Sequence, residues 1–251
     1  MDTAGPLGWL EPWSWVAAIL GLAVALLPFL PPLQKILQKR RKLRKALGQL
    51  RVGMPSRRVY DMLVDDPIRA EDLSRSDFVD SDGRNEFFEF RDADVQVVFE
   101  SDVLEVFSIR TKNAKCPVTL RGRGAIPESL TAGRAKFSDI PLREVTHCEF
   151  VHGARPYMNW YLELRPGRSE SDPNVWLYGW KPSGIGEMNH ALVPPWYEGW
   201  LAQNGYCMDT RKLTVPQQLQ LAAFRATLPI NSIVALRHEN DAKRFDLSGL
   251  F

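Results

Sequence analysis

His147, Cys148 and His152 cluster within six residues of the sequence. A structural zinc needs about four such ligands converging on one point. On a strand, Cys148 and His152 would share a face while His147 points away, so no metal site is assigned here. His190 and His238 stand alone. Arg121-Gly122-Arg123-Gly124 comes nearest to a basic glycine loop. No lysine follows it and no strand-to-helix turn frames it, so it reads as a connection and not a phosphate cradle. Asp65-Asp66 and the pair Asp80 and Asp82 sit in turns, where Asp bonds its own backbone. No nucleophile elbow occurs. No catalytic residue and no cofactor is assigned, and the expectation is a protein that is not an enzyme.

Aromatic side chains are the one enriched chemistry. Tyr157, Trp160, Tyr161, Trp176, Tyr178, Trp180, Trp196, Tyr197 and Trp200 crowd into one region. On a strand Trp176, Tyr178 and Trp180 share one face, and Val175, Leu177 and Gly179 the other. Large rings dominate the cores of small sheets, and this is the favoured reading. The alternative is a recognition face, because Trp and Tyr are enriched at interface hot spots. On that alternative Trp176, Tyr178 and Trp180 are the candidate contacts for a protein partner. An uncovered apolar face would also favour a homo-oligomer.

The elements that position these residues begin with an uncharged stretch between Glu11 and Lys35. Its apolar part, residues 13–30, would form about 27 Å of helix at 1.5 Å per residue. That matches the short end of a membrane span, for which roughly 17–25 residues suffice. Trp13 and Trp15 fit an aromatic belt at the interface, and Pro28, Pro31 and Pro32 would end the helix. A cleaved signal peptide would carry its basic residues first. Here Lys35, Lys39, Arg40, Arg41, Lys42, Arg44 and Lys45 follow instead. The positive-inside rule then puts the remainder in the cytoplasm, on a single-pass protein of the inner membrane. Leu33, Ile36, Leu37, Leu43, Leu47 and Leu50 recur near helical spacing between those cations. Residues 35–50 are therefore a basic juxtamembrane helix or linker, able to lie on anionic lipid.

Eight of the 32 Lys and Arg residues fall in 35–51 without an acidic neighbour, leaving the rest of the chain with a formal charge of −6. An acidic folded part argues against nucleic acid as a partner. Three cysteines at irregular spacing form no disulfide framework and suit a reducing compartment.

Beyond residue 50 the pattern is α+β. Gly53-Met54-Pro55-Ser56 opens a short helix with Val59 and Leu63 on one face. Strand-like runs follow at 86–91, 95–100 and 103–111, joined by turns short enough to require antiparallel pairing. A degenerate echo with a period of roughly 80 residues starts at Gly133, with strands at 144–152, 158–165 and 175–180. Residues 216–228 read as a helix and 230–237 as a final short strand. The expected organisation is 1–34 with a transmembrane helix at 13–30, 35–50 as linker, α/β units at 51–125 and 126–237, and a polar tail at 238–251.

Gly53-Met54-Pro55, Val59, Leu63 and Pro67, followed by paired strands, resemble the small BamE-like (SmpA/OmlA) α/β domains. Those domains open on a Gly-Met-Thr/Ser turn and close the helix with Gly-Pro. Pro55 stands where the hydroxyl residue is usual, and Asp66 where the glycine is. A fuller likeness, over residues 45–236, is to a bacterial family with one N-terminal membrane helix and a cytoplasmic α/β region. It is carried by Asp94-Val95-Gln96-Val97, Val106–Thr111, Leu130, Phe137-Ser138-Asp139, Tyr161-Leu162-Glu163 and Pro173–Gly179. Tandem units of this kind are also similar to the beta-lactamase inhibitory protein fold, where a curved sheet binds a protein. The resemblance transfers no catalytic residue. The expected function is a membrane-anchored cytoplasmic binding module, an adaptor or sensor that recruits a protein partner. Two alternatives remain: a ligand-gated membrane effector of bacterial defence that binds a nucleotide-like signal, and an enzyme without a recognisable motif.

Overall fold

Alternating strands with one aromatic face need a second layer to cover it, and short turns between them dictate an antiparallel sheet. The computed structural model realises this. It describes residues 15–16, 18–20, 22, 30–63, 67–72, 83–112, 118–121, 129–151, 160–166, 174–181, 193–197 and 207–237. The chain divides into two units, residues 1–42 and 43–251.

In the first unit Trp15, Val16, Ile19, Leu20 and Leu22 are helical and exposed. No helix among the described residues is long and apolar enough to cross a membrane. The expected span at 13–30 is therefore corrected; Trp13 and most of that segment lie outside the described residues. The helix that does form is the basic one, α1 (Leu30–Leu47). Pro31 and Pro32, expected to end a helix, sit in the first turn of α1. The first turn tolerates proline because its N–H groups have no intrahelical acceptor anyway.

The second unit begins inside that helix. Leu47 and Leu50 are fully buried and Leu43 packs against the core, so the last turn of the expected linker belongs to the sheet domain. Gly53 follows with φ +82, a left-handed conformation that costs other residues about 1–2 kcal/mol. Its N–H donates to the Leu104 carbonyl at 2.7 Å. Helix α2 (Ser56–Leu63) then buries Val59 and Leu63.

Nine of the eleven described strands form one antiparallel sheet. They are β1 (Arg69–Asp72), β2 (Arg84–Glu89), β3 (Ala93–Glu100), β4 (Val103–Thr111), β7 (His147–Val151), β8 (Trp160–Arg165), β9 (Val175–Trp180), β10 (Cys207–Asp209) and β11 (Ser232–Leu236). β5 (Val118–Arg121) and β6 (Ser129–Ala132) make a separate two-stranded ribbon. The sheet order is β1-β2-β3-β4-β11-β9-β8-β7-β10. β3 and β4 are joined by Ser101 and Asp102, at φ 50 and 63, the two-residue left-handed turn that matches strand twist. Helix α3 (Val215–Thr227) starts with Pro216 in its first turn and the reciprocal Thr214/Gln217 cap, which satisfies otherwise orphaned backbone donors.

The dominant feature is this single sheet with few helices. It corrects the expected arrangement of a membrane helix followed by possibly duplicated BamE-like units. The expected units 51–125 and 126–237 share one sheet, because β11 pairs with β4 on one side and β9 on the other.

Register fixes the faces. One row of cross-strand neighbours runs Ala70, Phe88, Val95, Ile109, Ile233, Tyr178, Glu163, Cys148, Met208. This face carries the main core, with Val59, Leu63, Phe137, Leu221, Phe224, Val118 and Leu130 from the covering elements. The opposite face holds a smaller buried cluster of Val98, Val106, Val175, Leu177, Val234 and Leu236, with Leu164 against it.

Candidate functional site

The aromatic strand is core. Trp176, Tyr178 and Trp180 are 1–3 % exposed, all in the main cluster. Phe107 meets Trp176 edge-on with centroids 6.4 Å apart. The face proposed for a partner is thus already covered by this chain. Val175 and Leu177 on the other face are equally buried, which is why both faces of β9 read as apolar.

Beside that strand lies a buried ionic network that crosses from sheet to helix. Tyr161, Glu163 and Arg165 alternate onto the helix-covered face of β8, and Leu162 and Leu164 onto the other. The Glu163 side chain has no exposure and Arg225 of α3 only 4 %. Arg225 Nε donates to Glu163 Oε1 at 2.5 Å and Nη2 to Oε2 at 2.9 Å. Nη2 also donates to the Ile140 carbonyl at 2.7 Å, and Tyr161 Oη donates to Glu163 Oε1 at 2.7 Å. Burial, then the Glu163 charge, pushes the Tyr161 hydroxyl well above its ordinary pKa. Burial opposes the Arg225 charge, yet Glu163 outweighs it and the guanidinium pKa is raised. Phe224 packs edge-on to Tyr161 at 5.2 Å. Both oxygens of the carboxylate are engaged from within the chain, so the network pins α3 to the sheet and is not arranged to take a substrate. Arg165 is likewise buried, with Glu144 at 3.6 Å.

This network was not read from the sequence, since Glu163 and Arg225 are far apart in the chain. The available signal was Arg225 itself, a cation in helical phase with Leu221, Phe224 and Leu228. His147 and Cys148 do point to opposite faces, as strand parity requires. Cys148 is buried beside Glu163, and His147 Nδ1 lies 3.1 Å from Thr146 Oγ1. His152, His190, His238, Asp65, Asp66, Asp80, Asp82 and Gly122-Arg123-Gly124 lie outside the described residues. Among the described residues no group of three or more His, Cys, Asp or Glu could hold a metal ion.

Two cationic regions remain among the described residues. The first is α1, where Lys35, Lys39, Arg41, Lys42 and Lys45 are exposed, Arg40 and Arg44 half-buried, and no acidic residue occurs. Leu37 is exposed among them. The second lies at one end of the sheet face opposite the helices. There Arg110 Nε donates to Asp94 Oδ2 at 3.1 Å, and Nη2 reaches the same oxygen. Lys112 Nζ contacts Glu89 Oε1 at 2.9 Å and Asp94 Oδ1 at 2.6 Å. Burial works against the Lys112 ammonium, but Asp94 and Glu89 more than offset it and its pKa is raised. Lys181, just past β9, experiences burial and then the Arg110 charge, which together lower its pKa to about 7.

No family model, curated protein or solved structure matches this chain.

Proposed function

We propose that the protein is a non-enzymatic binding module that sits on an anionic lipid surface through α1. The observation that carries this reading is the helix itself: seven Lys or Arg residues and no acidic one in 18 residues, most of them exposed. Each such cation contributes about 1 kcal/mol at a negatively charged membrane surface. The exposed Leu37 lies among them and can enter the headgroup layer, as apolar residues of interfacial helices do. The remainder of the chain is formally acidic, so its net charge adds no attraction to an anionic surface.

Co-sedimentation of the full chain with phosphatidylcholine vesicles, with and without phosphatidylserine, tests the reading. Binding should rise with phosphatidylserine and fall with salt. Replacing Lys39, Arg40, Arg41 and Lys42 by Gln should weaken the serine-lipid increment on the order of a thousandfold. An increment that survives those four substitutions overturns the proposal.

A further inference from the structure

We infer that the sheet face opposite the helices carries a binding site for a phosphate-class oxyanion, built from Arg110, Lys181 and the Ser232 hydroxyl over Gly179. Three strands contribute, and register brings them together. Ser232 on β11 lies directly between Arg110 on β4 and Gly179 on β9. Lys181 continues the strand two residues past Gly179. Its backbone is clamped by Asn231, whose Oδ1 accepts from the Lys181 N–H at 2.9 Å and whose Nδ2 donates to the Lys181 carbonyl at 2.7 Å.

The observation that points to a ligand is Ser232. Its side chain has no exposure, yet its Oγ has no hydrogen-bond partner. A buried hydroxyl without a partner costs about 1–3 kcal/mol, and an accepting anion would relieve that. Gly179, the cross-strand partner of Ser232 on β9, brings no side chain to this point. The cations lie in the same place. Arg110 is the cross-strand partner of Ser232 on β4, and Lys181 lies two residues beyond Gly179, the Ser232 partner on β9; an anion between two such cations would stabilise both. Asp94 of β3 and Glu89 of β2 face the β4 side, where they hold Arg110 and Lys112. Glu149, in the same row, lies three strands from Ser232 on β7. The donors differ in kind (a guanidinium whose Nε and Nη2 already meet Asp94, an ammonium and a hydroxyl), which suits an anion with several acceptor oxygens.

The site shares no residue with α1, and its test is independent of the lipid-surface reading. Sulfate is a suitable first probe because it keeps its charge across the useful pH range. Titrated calorimetrically into the full chain at constant ionic strength, it should bind saturably at one site. Affinity should drop about tenfold from pH 6 to pH 9, because Lys181 loses its proton over that interval. Lys181→Met and Ser232→Ala should each weaken binding at least tenfold, whereas the four Gln substitutions in α1 should leave it unchanged. Two variants guard against a folding defect, Ser232→Ala removing one oxygen only. Adenosine monophosphate and a short-chain phosphatidate then separate a free phosphomonoester from a lipid headgroup, and displacement of sulfate by either supports the site. The inference is overturned if sulfate uptake is not saturable, if both variants bind like the parent, or if neither phosphomonoester displaces sulfate.

Discussion

At the scale of residues, the molecule places charge where strand alternation alone would place apolar groups. Glu163 and Arg225 are desolvated together, and their attraction repays that cost only through the bidentate geometry and the bonds from Tyr161 and to the Ile140 carbonyl. Removing one partner should therefore be severe. Glu163→Gln leaves the Arg225 cation buried without a counter-charge and should cost about 3–5 kcal/mol in denaturant unfolding. Replacing both, as Glu163→Leu with Arg225→Met, should recover most of that loss. A single variant as stable as the parent would remove the pin from the account of the fold. Lys181 makes a different prediction, in pH. Unfolded, it titrates near 10.5; folded, at about 7. Between those values the unfolded chain holds a proton that the folded chain lacks, so this group makes stability rise with pH across that window. Below pH 7 its penalty is complete and constant. Lys181→Met should therefore stabilise the protein most at pH 6 and hardly at all near pH 10. A stability difference that does not vary with pH would show that the amine is not the titrating group.

At the scale of elements, most of the strands were legible because their patterning is local. The expected runs at 95–100, 103–111 and 175–180 coincide closely with β3, β4 and β9, and α2 and α3 fall where their apolar periods put them. The described parts of β1, β5, β6 and β10 are three or four residues long, a length at which alternation is hard to recognise. The start of α1 was misjudged because proline ends one helix and begins another by the same chemistry. Two glycines near the end of α1 illustrate how differently one residue type can be required. At Gly53 an added Cβ meets nothing within 4 Å, and only the positive φ demands glycine. Asn, which tolerates that conformation, should substitute with little loss. At Gly48 the added Cβ would lie 2.9 Å from the Thr119 carbonyl oxygen and 3.1 Å from that of Arg44, both backbone. Gly48→Ala should push the β5–β6 ribbon from the helix end and cost about 1–3 kcal/mol. Thermal unfolding of Gly53→Asn and Gly48→Ala checks the contrast. Equal melting temperatures for the two would refute it.

At the scale of the whole molecule, what the sequence concealed is the place of β11. The run at 230–237 was recognisable as a strand. Its position at the centre of the nine-stranded order depends on pairing with β4, more than a hundred residues earlier, and such pairing leaves no local trace. The loose echo between Gly53 and Gly133 is visible in the backbone, since both have positive φ. The Gly133 N–H donates to the Ile230 carbonyl beside β11, as Gly53 donates to Leu104 on β4. The echo does not yield two independent units, because β11 is shared. Ile233 sits between Ile109 and Tyr178, and Ala235 between Phe107 and Trp176, all buried. Without β11, β4 and β9 each lose a partner along their full facing edge, and both core clusters open. A chain ending at Leu228 should therefore show no cooperative unfolding transition, although it keeps eight strands of the large sheet and α3. Ala235→Asp, which leaves every strand in place but buries an unpaired carboxylate at the same point, should cost several kcal/mol. If the shortened chain still unfolds cooperatively near the parent's melting temperature, the two halves fold without β11, and independent units would be restored as the better description.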